Sequence, residues 1–213
     1  MDPSDTSNYK EGMKNFDFQK YEALLFDLDG TLADTMELHN RAWIQTLNSF
    51  GCEITEERLA EYAGVPNTKS IEAWNQRFGW NLDPILTAHQ KESLVLQEIH
   101  HVRPIQTTLA LVHTYFGRKP MAIVSGGDRK LVETILNHLG LRNFFATVVT
   151  AESTERAKPH PDPFLRAAKN LKVDPAACLV FEDGQPGIDG ARGCGMSVIQ
   201  VLSDHSLRPL ATN

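Results

Sequence analysis

Residues Leu24 to Asp34, LLFDLDGTLAD, set a short apolar run against two aspartates two positions apart and then a glycine. An apolar run of this length that stops at acid reads as a buried strand ending at a sheet edge. Asp29-Gly30 also fits a hairpin turn, since aspartate is poor in strands and Asp-Gly favours tight turns. The residues beyond Gly30 weaken the hairpin. From Met36 the pattern is helical, with Met36, Trp43, Leu47 and Phe50 on one face before Gly51, and there is no second alternating strand.

Helical spacing continues downstream. Ile71, Trp74 and Phe78 share a face before Gly79, and Asp83-Pro84 supplies a capping residue with a first-turn proline. Ile85, Ala88, Leu96 and Ile99 carry the pattern toward His100, and no convincing strand lies between Met36 and His100. Beyond Pro104 the style changes. Four short apolar runs, MAIV at Met121, TVV at Thr147, CLVF at Cys178 and SVIQV at Ser197, alternate with helix-periodic stretches. One of those stretches carries Leu131, Val132, Ile135, Leu136 and Leu139 before Gly140; another opens at Asp162-Pro163 and carries Phe164, Ala167, Ala168 and Leu171. Repeated βα units imply a parallel sheet covered on both faces. The expected class is α/β: a Rossmann-like parallel sheet core from residues 21–35 and 104–213, an inserted helical cap over 36–103, and a cleft between them. Residues 1–20 are polar and aperiodic and are expected to be a disordered extension.

Length and charge narrow the partners. The chain has 213 residues and a formal charge of -6, with a pI near 5.7, which argues against nucleic acid or an anionic membrane surface as the main partner. No stretch suits a transmembrane span or a signal peptide, so a cytoplasmic, monomeric protein acting on a small molecule is expected. Cys52, Cys178 and Cys194 are odd in number and irregularly spaced, which fits buried thiols better than disulfides or zinc ligands. The histidines show no HExxH pairing, and His100-His101 reads as a polar helix end.

The candidate chemistry appears when the strand ends are considered together. Ligands in open α/β sheets bind beyond the carboxyl ends of the strands. Strand one ends at Asp27, the Met121 run at Ser125 and the Cys178 run at Glu182-Asp183, while Lys158 lies in the loop after the Thr147 run. Taken singly, each residue has an ordinary explanation. Ser125 could start a turn, Lys158 could be solvated, Glu182-Asp183 could end a strand, and Thr35 and His39 could be a helix cap and a surface residue. Together they place three carboxylates, a hydroxyl and an ammonium at one crevice. Such crowding calls for a cation, and an all-oxygen set without cysteine or histidine suits Mg²⁺. Gly126 and Gly127 leave backbone N–H groups free to hold an anion. The glycines from Gly184 to Gly195 do not match GxGxxG, and there is no GxxxxGK[ST] loop, so a nucleotide-binding module is disfavoured.

In their order, these motifs resemble the haloacid dehalogenase-like hydrolase superfamily: DLDGT from Asp27 to Thr31, Ser125, Lys158 in KPHPDPF, and Glu182-Asp183 in FEDGQPGI. The helical cap and the stretch HNRAW from His39 to Trp43 resemble the beta-phosphoglucomutase-like subgroup, and within it the sugar-phosphate phosphatases of fructose-1-phosphate or 6-phosphogluconate type. The resemblance implies a magnesium-dependent phosphatase in which Asp27 is the nucleophile and Asp29 the general acid and base. It implies metal ligation by Asp27, Asp183 and the backbone carbonyl of Asp29, with support from Glu182. Ser125, Lys158 and the N–H groups near Leu28 and Gly126 would stabilise the phosphoryl oxygens. Thr35, His39, Asn67 and Lys69 would approach the leaving group as the cap closes. Two departures stand out. Gly184 replaces a frequent serine, and the cap loop Gly64 to Lys69 lacks the arginine with which phosphoglucomutases of the subgroup grip a second phosphate. That absence favours hydrolysis, with a phosphomutase as the alternative.

Overall fold

A computed structural model describes residue 13 and residues 16–211. Strand β1 (Ala23–Phe26) is buried at all four positions, as a central parallel strand covered on both faces must be. It pairs in parallel with β4 (Met121–Val124) on one side and β6 (Cys178–Glu182) on the other. Strand β5 (Thr147–Val149) extends the sheet beyond β4, and β7 (Ser197–Val201) extends it beyond β6, both in parallel. Each of these strands falls where an apolar run predicts one. A further strand, β8 (Leu207–Pro209), adds antiparallel to β7, so the order is β5-β4-β1-β6-β7-β8. The expected parallel sheet is the one found, with this single antiparallel strand added at its edge, where LRP is too short and polar to signal a strand by pattern.

Helices cover both faces. One apolar cluster unites Leu24, Phe26 and Phe181 with Leu111 and Val112 of the helix Gln106–Tyr115 and Ile135 and Leu136 of the helix Arg129–His138. The other unites Leu25, Val124 and Val180 with Phe164 and Ala168 of the helix Asp162–Leu171 and Ile188 of the helix Gln185–Arg192. Successive side chains of each strand serve opposite clusters, the period-2 rule applied to a sheet with no wet face.

Four helices lie between β1 and β4 with an apolar cluster of their own: α1 (Met36–Ser49), α2 (Glu56–Ala60), α3 (Asn67–Phe78) and α4 (Pro84–Gln97). Trp43, Leu47, Leu59, Ile71, Trp74 and Ala88 form its centre. Asp83 caps α4, its side chain accepting from Ile85 N and Leu86 N at 2.9 Å each. The expected face is kept at Ala88, and Leu96 and Ile99 pack half-buried against the core, but it is lost at the start of the helix. Ile85 is 65% exposed, whereas Thr87, Ala88, Lys91 and Val95 are buried. A two-stranded antiparallel ribbon of β2 (Ala33–Asp34) and β3 (Arg103–Pro104) brackets these helices. Two-residue strands leave no periodicity to read.

The disordered extension expected over residues 1–20 is corrected in its described part. Asp17 caps a 3₁₀ turn over Phe18–Lys20, Met13 and Phe18 are buried, and Phe18 packs 5.5 Å from the Tyr115 ring. The remainder of that segment lies outside the described residues. All three cysteines are free thiols, Cys52 and Cys178 buried and Cys194 half-buried.

Candidate active site

At the carboxyl edge of the sheet the strand ends converge. Asp27 follows β1 directly and is 4% exposed. Lys158, 3% exposed, reaches Asp27 Oδ1 at 2.6 Å and Glu182 Oε1 at 2.9 Å with its ammonium. Asp183 accepts a hydrogen bond from Thr31 Oγ1 at 3.0 Å. Ser125 Oγ accepts from Gly127 N at 3.0 Å, which fixes the hydroxyl oxygen at the end of β4. Leu28 is fully buried in the core, so only its backbone reaches the site, where its N–H bonds the Asp27 carboxylate.

The electrostatics show a shortage of positive charge. Burial, reinforced by Asp29, raises Asp27 to about 6 in spite of Lys158. Burial and the Asp27 charge raise Asp183 to about 7, and the same two causes push Glu182 well above the carboxylate range. Burial opposes the charge of Lys158, yet Asp27 and Glu182 hold it above its ordinary value. One ammonium is therefore shared among three crowded acids. Carboxylate oxygens of Asp27, Glu182 and Asp183 lie within 4.8 Å of one another, and Glu182 Oε2, though buried, has no hydrogen-bond partner among the described residues. A hard divalent cation fits this all-oxygen set. Asp29 does not belong to it through its side chain. Its carboxylate bonds Thr35 and His39 instead, in keeping with the expectation that only its backbone carbonyl would serve as a ligand.

Asp29 is held by an array that was only half legible. Thr35 stands at the start of α1 but makes no capping bond; its hydroxyl donates to Asp29 Oδ1 at 2.7 Å. His39 Nε2 lies 3.0 Å from the same oxygen. Lys91, 1% exposed, contacts His39 Nδ1 and sits 5.3 Å from the Trp43 ring. Because an ammonium only donates, Nδ1 must accept, and the ring proton then resides on Nε2, where it donates to Asp29. Burial and the Lys91 charge lower the His39 pKa, which keeps the ring neutral. Burial opposes ionisation of Asp29, but His39, Thr35 and Lys91 overcome it and hold the carboxyl at about 2. Lys91 is not singled out by its sequence pattern, although a lysine three residues after Ala88 and four before Val95, inside an apolar stripe, is a usable signal.

Burial is the main cause that brings Lys91 down to about 8. A displacement of that size corresponds to a cost on the order of 3 kcal/mol for keeping it charged. This cost is complete below pH 8 and fades as pH rises from about 8 toward 10.5. Lys91→Met is therefore expected to match or exceed the parent in thermal stability at pH 7. It should also lose roughly ten- to a hundredfold in turnover, as when an orienting partner is removed. Tm and kcat measured side by side check this; parent-like turnover contradicts the tautomer assignment.

Between this array and the sheet lies a cleft lined by Asp27, Asp29, His39, Asn67, Lys91, Ser125 and Gly126, with Trp43, Tyr62 and Trp74 as an aromatic wall. The helical unit sits close over it. A Cβ on Gly126 would lie 2.1 Å from Gly64 O, and one on Gly184 would lie 3.0 Å from Ala63 O. The missing serine at position 184 thus coincides with contact by the cap loop. Asn67 lines the cleft and donates to Glu92 Oε1 at 2.8 Å. Lys69 is not among the lining residues; it is exposed and pairs with Glu72 at 2.7 Å.

The acid cluster predicts a linkage. Between pH 4 and about 7 the folded protein binds more protons at Asp27 and Asp183 than the unfolded chain does, so their contribution to stability falls as pH rises. A cation that needs both ionised binds more tightly over the same interval. The Tm gain from added Mg²⁺ is expected to be several degrees larger at pH 8 than at pH 5.5. Equal gains, read by scanning calorimetry, contradict the assignment.

Comparison with known proteins agrees with this geometry. Residues 24–201 match the family model described as haloacid dehalogenase-like hydrolase. The chain is 35% identical to the fructose-1-phosphate phosphatase of Escherichia coli (strain K12), covering 86% of this chain and 98% of that protein. It is 26% identical to the phosphorylated carbohydrates phosphatase of Thermotoga maritima, covering 86% and 88%. Among solved structures, beta-phosphoglucomutase from Clostridium difficile superposes with a TM-score of 0.74 at 25% identity, with 84% of each chain covered. The α/β sheet carries its acids at the carboxyl edge, where folds of this kind bind their ligands. The chain belongs to the haloacid dehalogenase-like hydrolase family.

Proposed function

We propose that this protein is a magnesium-dependent phosphatase of small sugar phosphates that works through an aspartyl-phosphate. The observation that carries the reading is the placement of Asp29, fixed by Thr35 and His39, in the cleft that Asp27 also lines, with Asp27 in turn joined to Lys158 and to the acids Glu182 and Asp183. Two carboxylates held by separate partners, Asp27 by Lys158 and Asp29 by Thr35 and His39, suit a division of labour between nucleophile and proton carrier.

Asp27 attacks phosphorus, and the phosphoryl group passes to its oxygen as the sugar alkoxide departs. Asp29 gives that oxygen a proton, then takes one from the water that hydrolyses the acyl phosphate. Lys158, Ser125 and the N–H groups of the Gly126 turn bind the phosphoryl oxygens and stabilise charge as it shifts. Lys158 also offsets the negative charge of Asp27 and Glu182. Asp27, Asp183 and, through water, Glu182 would hold the divalent cation, with the backbone carbonyl of Asp29. When bound, it supplies electrostatic shielding between nucleophile and phosphate.

Hydrolysis is favoured over the mutase alternative by the cap loop. Asn67 is uncharged and engaged with Glu92, while Lys69 pairs outside the cleft, so no cation from this loop is poised to grip a second phosphate. A phosphate-release screen over sugar phosphates, nucleotides, phosphoglycolate and pyrophosphate, with and without Mg²⁺, tests the reading. Free phosphate from a hexose monophosphate that disappears on chelation supports it. An isomeric sugar phosphate formed only with a bisphosphate activator would transfer the assignment to a mutase.

A further inference from the structure

Four buried side-chain polar atoms have no hydrogen-bond partner among the described residues: Thr46 Oγ1, Trp74 Nε1, Thr87 Oγ1 and Glu182 Oε2. Glu182 belongs to the acid cluster, and Thr46 and Thr87 do not line the cleft. Trp74 does line it, and its side chain is only 1% exposed. A buried indole N–H ordinarily finds an acceptor, because donating is the only polar interaction it can make. A donor left unmatched beside a cleft is what a site built for an absent acceptor looks like.

The surroundings define that acceptor. Trp74 is held by edge-to-face contacts with Trp43, centroids 4.8 Å apart, and Tyr62, 5.5 Å apart, so the ring is fixed before any ligand arrives. The cations nearest this wall are committed: Lys91 to His39 and Lys158 to Asp27 and Glu182. Half-buried Glu92, behind Asn67, adds negative charge to the cap side. An anionic group here would meet a carboxylate and no free ammonium. A neutral hydroxyl meets an indole donor, the Asn67 amide and apolar ring faces suited to carbon-bound hydrogens.

We propose that Trp74 is a specificity-determining residue whose indole N–H donates to a hydroxyl oxygen of the leaving group, so that the cap selects a neutral polyhydroxylated alcohol over one bearing a second anion. This rests on the phosphatase reading above and assigns the part of its site that faces away from phosphorus. No covalent step is added; the contribution is one hydrogen bond, made in the bound complex and lost when the alcohol leaves.

Trp74→Phe keeps an aromatic ring and deletes the donor. The readout is the ratio of kcat/KM for the hexose monophosphate turned over fastest in the screen to kcat/KM for 4-nitrophenyl phosphate, whose leaving group carries no hydroxyl. The ratio is expected to fall about tenfold, the scale of one lost hydrogen bond. A ratio within twofold of the parent value overturns the proposal, as does an equal loss on both substrates, which would mark a structural role. Should the variant fail to fold, monodeoxy analogues of the same hexose phosphate on the parent enzyme give the answer. One hydroxyl must matter by about tenfold, and uniform tolerance of every deletion overturns the assignment. Phosphate release from the hexose monophosphate by the parent enzyme reports the phosphatase reading separately: its absence defeats that reading, whereas its presence with an unchanged ratio defeats only the role of Trp74.

Discussion

Asp27→Asn is expected to lower phosphate release by roughly 10⁴-fold or more, the order of loss when a covalent nucleophile is removed. The amide can still accept from Lys158 through Oδ1, so the 2.6 Å contact has a neutral successor and the loop after β1 need not move. What disappears is a nucleophilic oxygen and one negative charge. Asp27 is displaced upward to about 6, so its ionised form is unfavourable in the metal-free fold at pH 8. Removing that charge also relieves Asp183 and Glu182, both of which Asp27 drives up. The metal-free variant should consequently melt at or above the parent temperature at pH 8 while being inert. Phosphate release and Tm on the same preparation decide the matter. An inactive but unfolded variant would be explained by lost structure; an active one would exclude Asp27 as nucleophile. Labelling by beryllofluoride should vanish with the carboxylate, which separates an enzyme from a protein that merely keeps the fold.

How much of this could be read from the chain depends on which physical rule locates each residue. Asp27, Ser125, Glu182 and Asp183 each terminate an apolar run, and parallel strands bring such ends to one edge, so their meeting was legible once the runs were assigned as strands. Lys158 lies one loop beyond β5 and needed only the same edge rule. The cap was harder. His39 and Lys91 are 52 residues apart on different helices, and only the packing of α1 on α4 brings them together. The turn of α4 about its axis buries Thr87 and Lys91 and exposes Ile85 and Leu86, the reverse of a hydrophobicity ranking. Packing of α4 against α1 and α3 decides which residues are buried there, and local pattern does not. Trp74 was read correctly as a core position of its helix, yet that reading treats the indole as an apolar surface. The unmatched N–H is visible only when every neighbour is in place.

Asp29→Asn separates the two chemical steps. Asp29 is held at about 2, so in the free enzyme it is a carboxylate, ready to act as base but unprotonated for acid duty. A phosphate dianion entering the cleft disfavours that charge and raises its pKa, supplying the proton when the alkoxide must leave. The asparagine variant can neither donate nor accept that proton. For a sugar phosphate, whose alkoxide is a poor leaving group, both steps should slow, with an overall loss of roughly a hundredfold or more. For 4-nitrophenyl phosphate the phenolate departs without a proton, so the first step should survive and the second should stall. The expected trace is a burst of nitrophenol of about one equivalent per active site, then slow turnover, with phosphorylated Asp27 detectable by intact mass. His39→Gln should show a milder form of the same imbalance, since Thr35 still holds Asp29 at 2.7 Å. If the asparagine variant instead turned over both substrates at the parent rate with no burst, the proton would be moving through another group. The Thr35, His39 and Lys91 array would then have to be explained as a device that docks the cap.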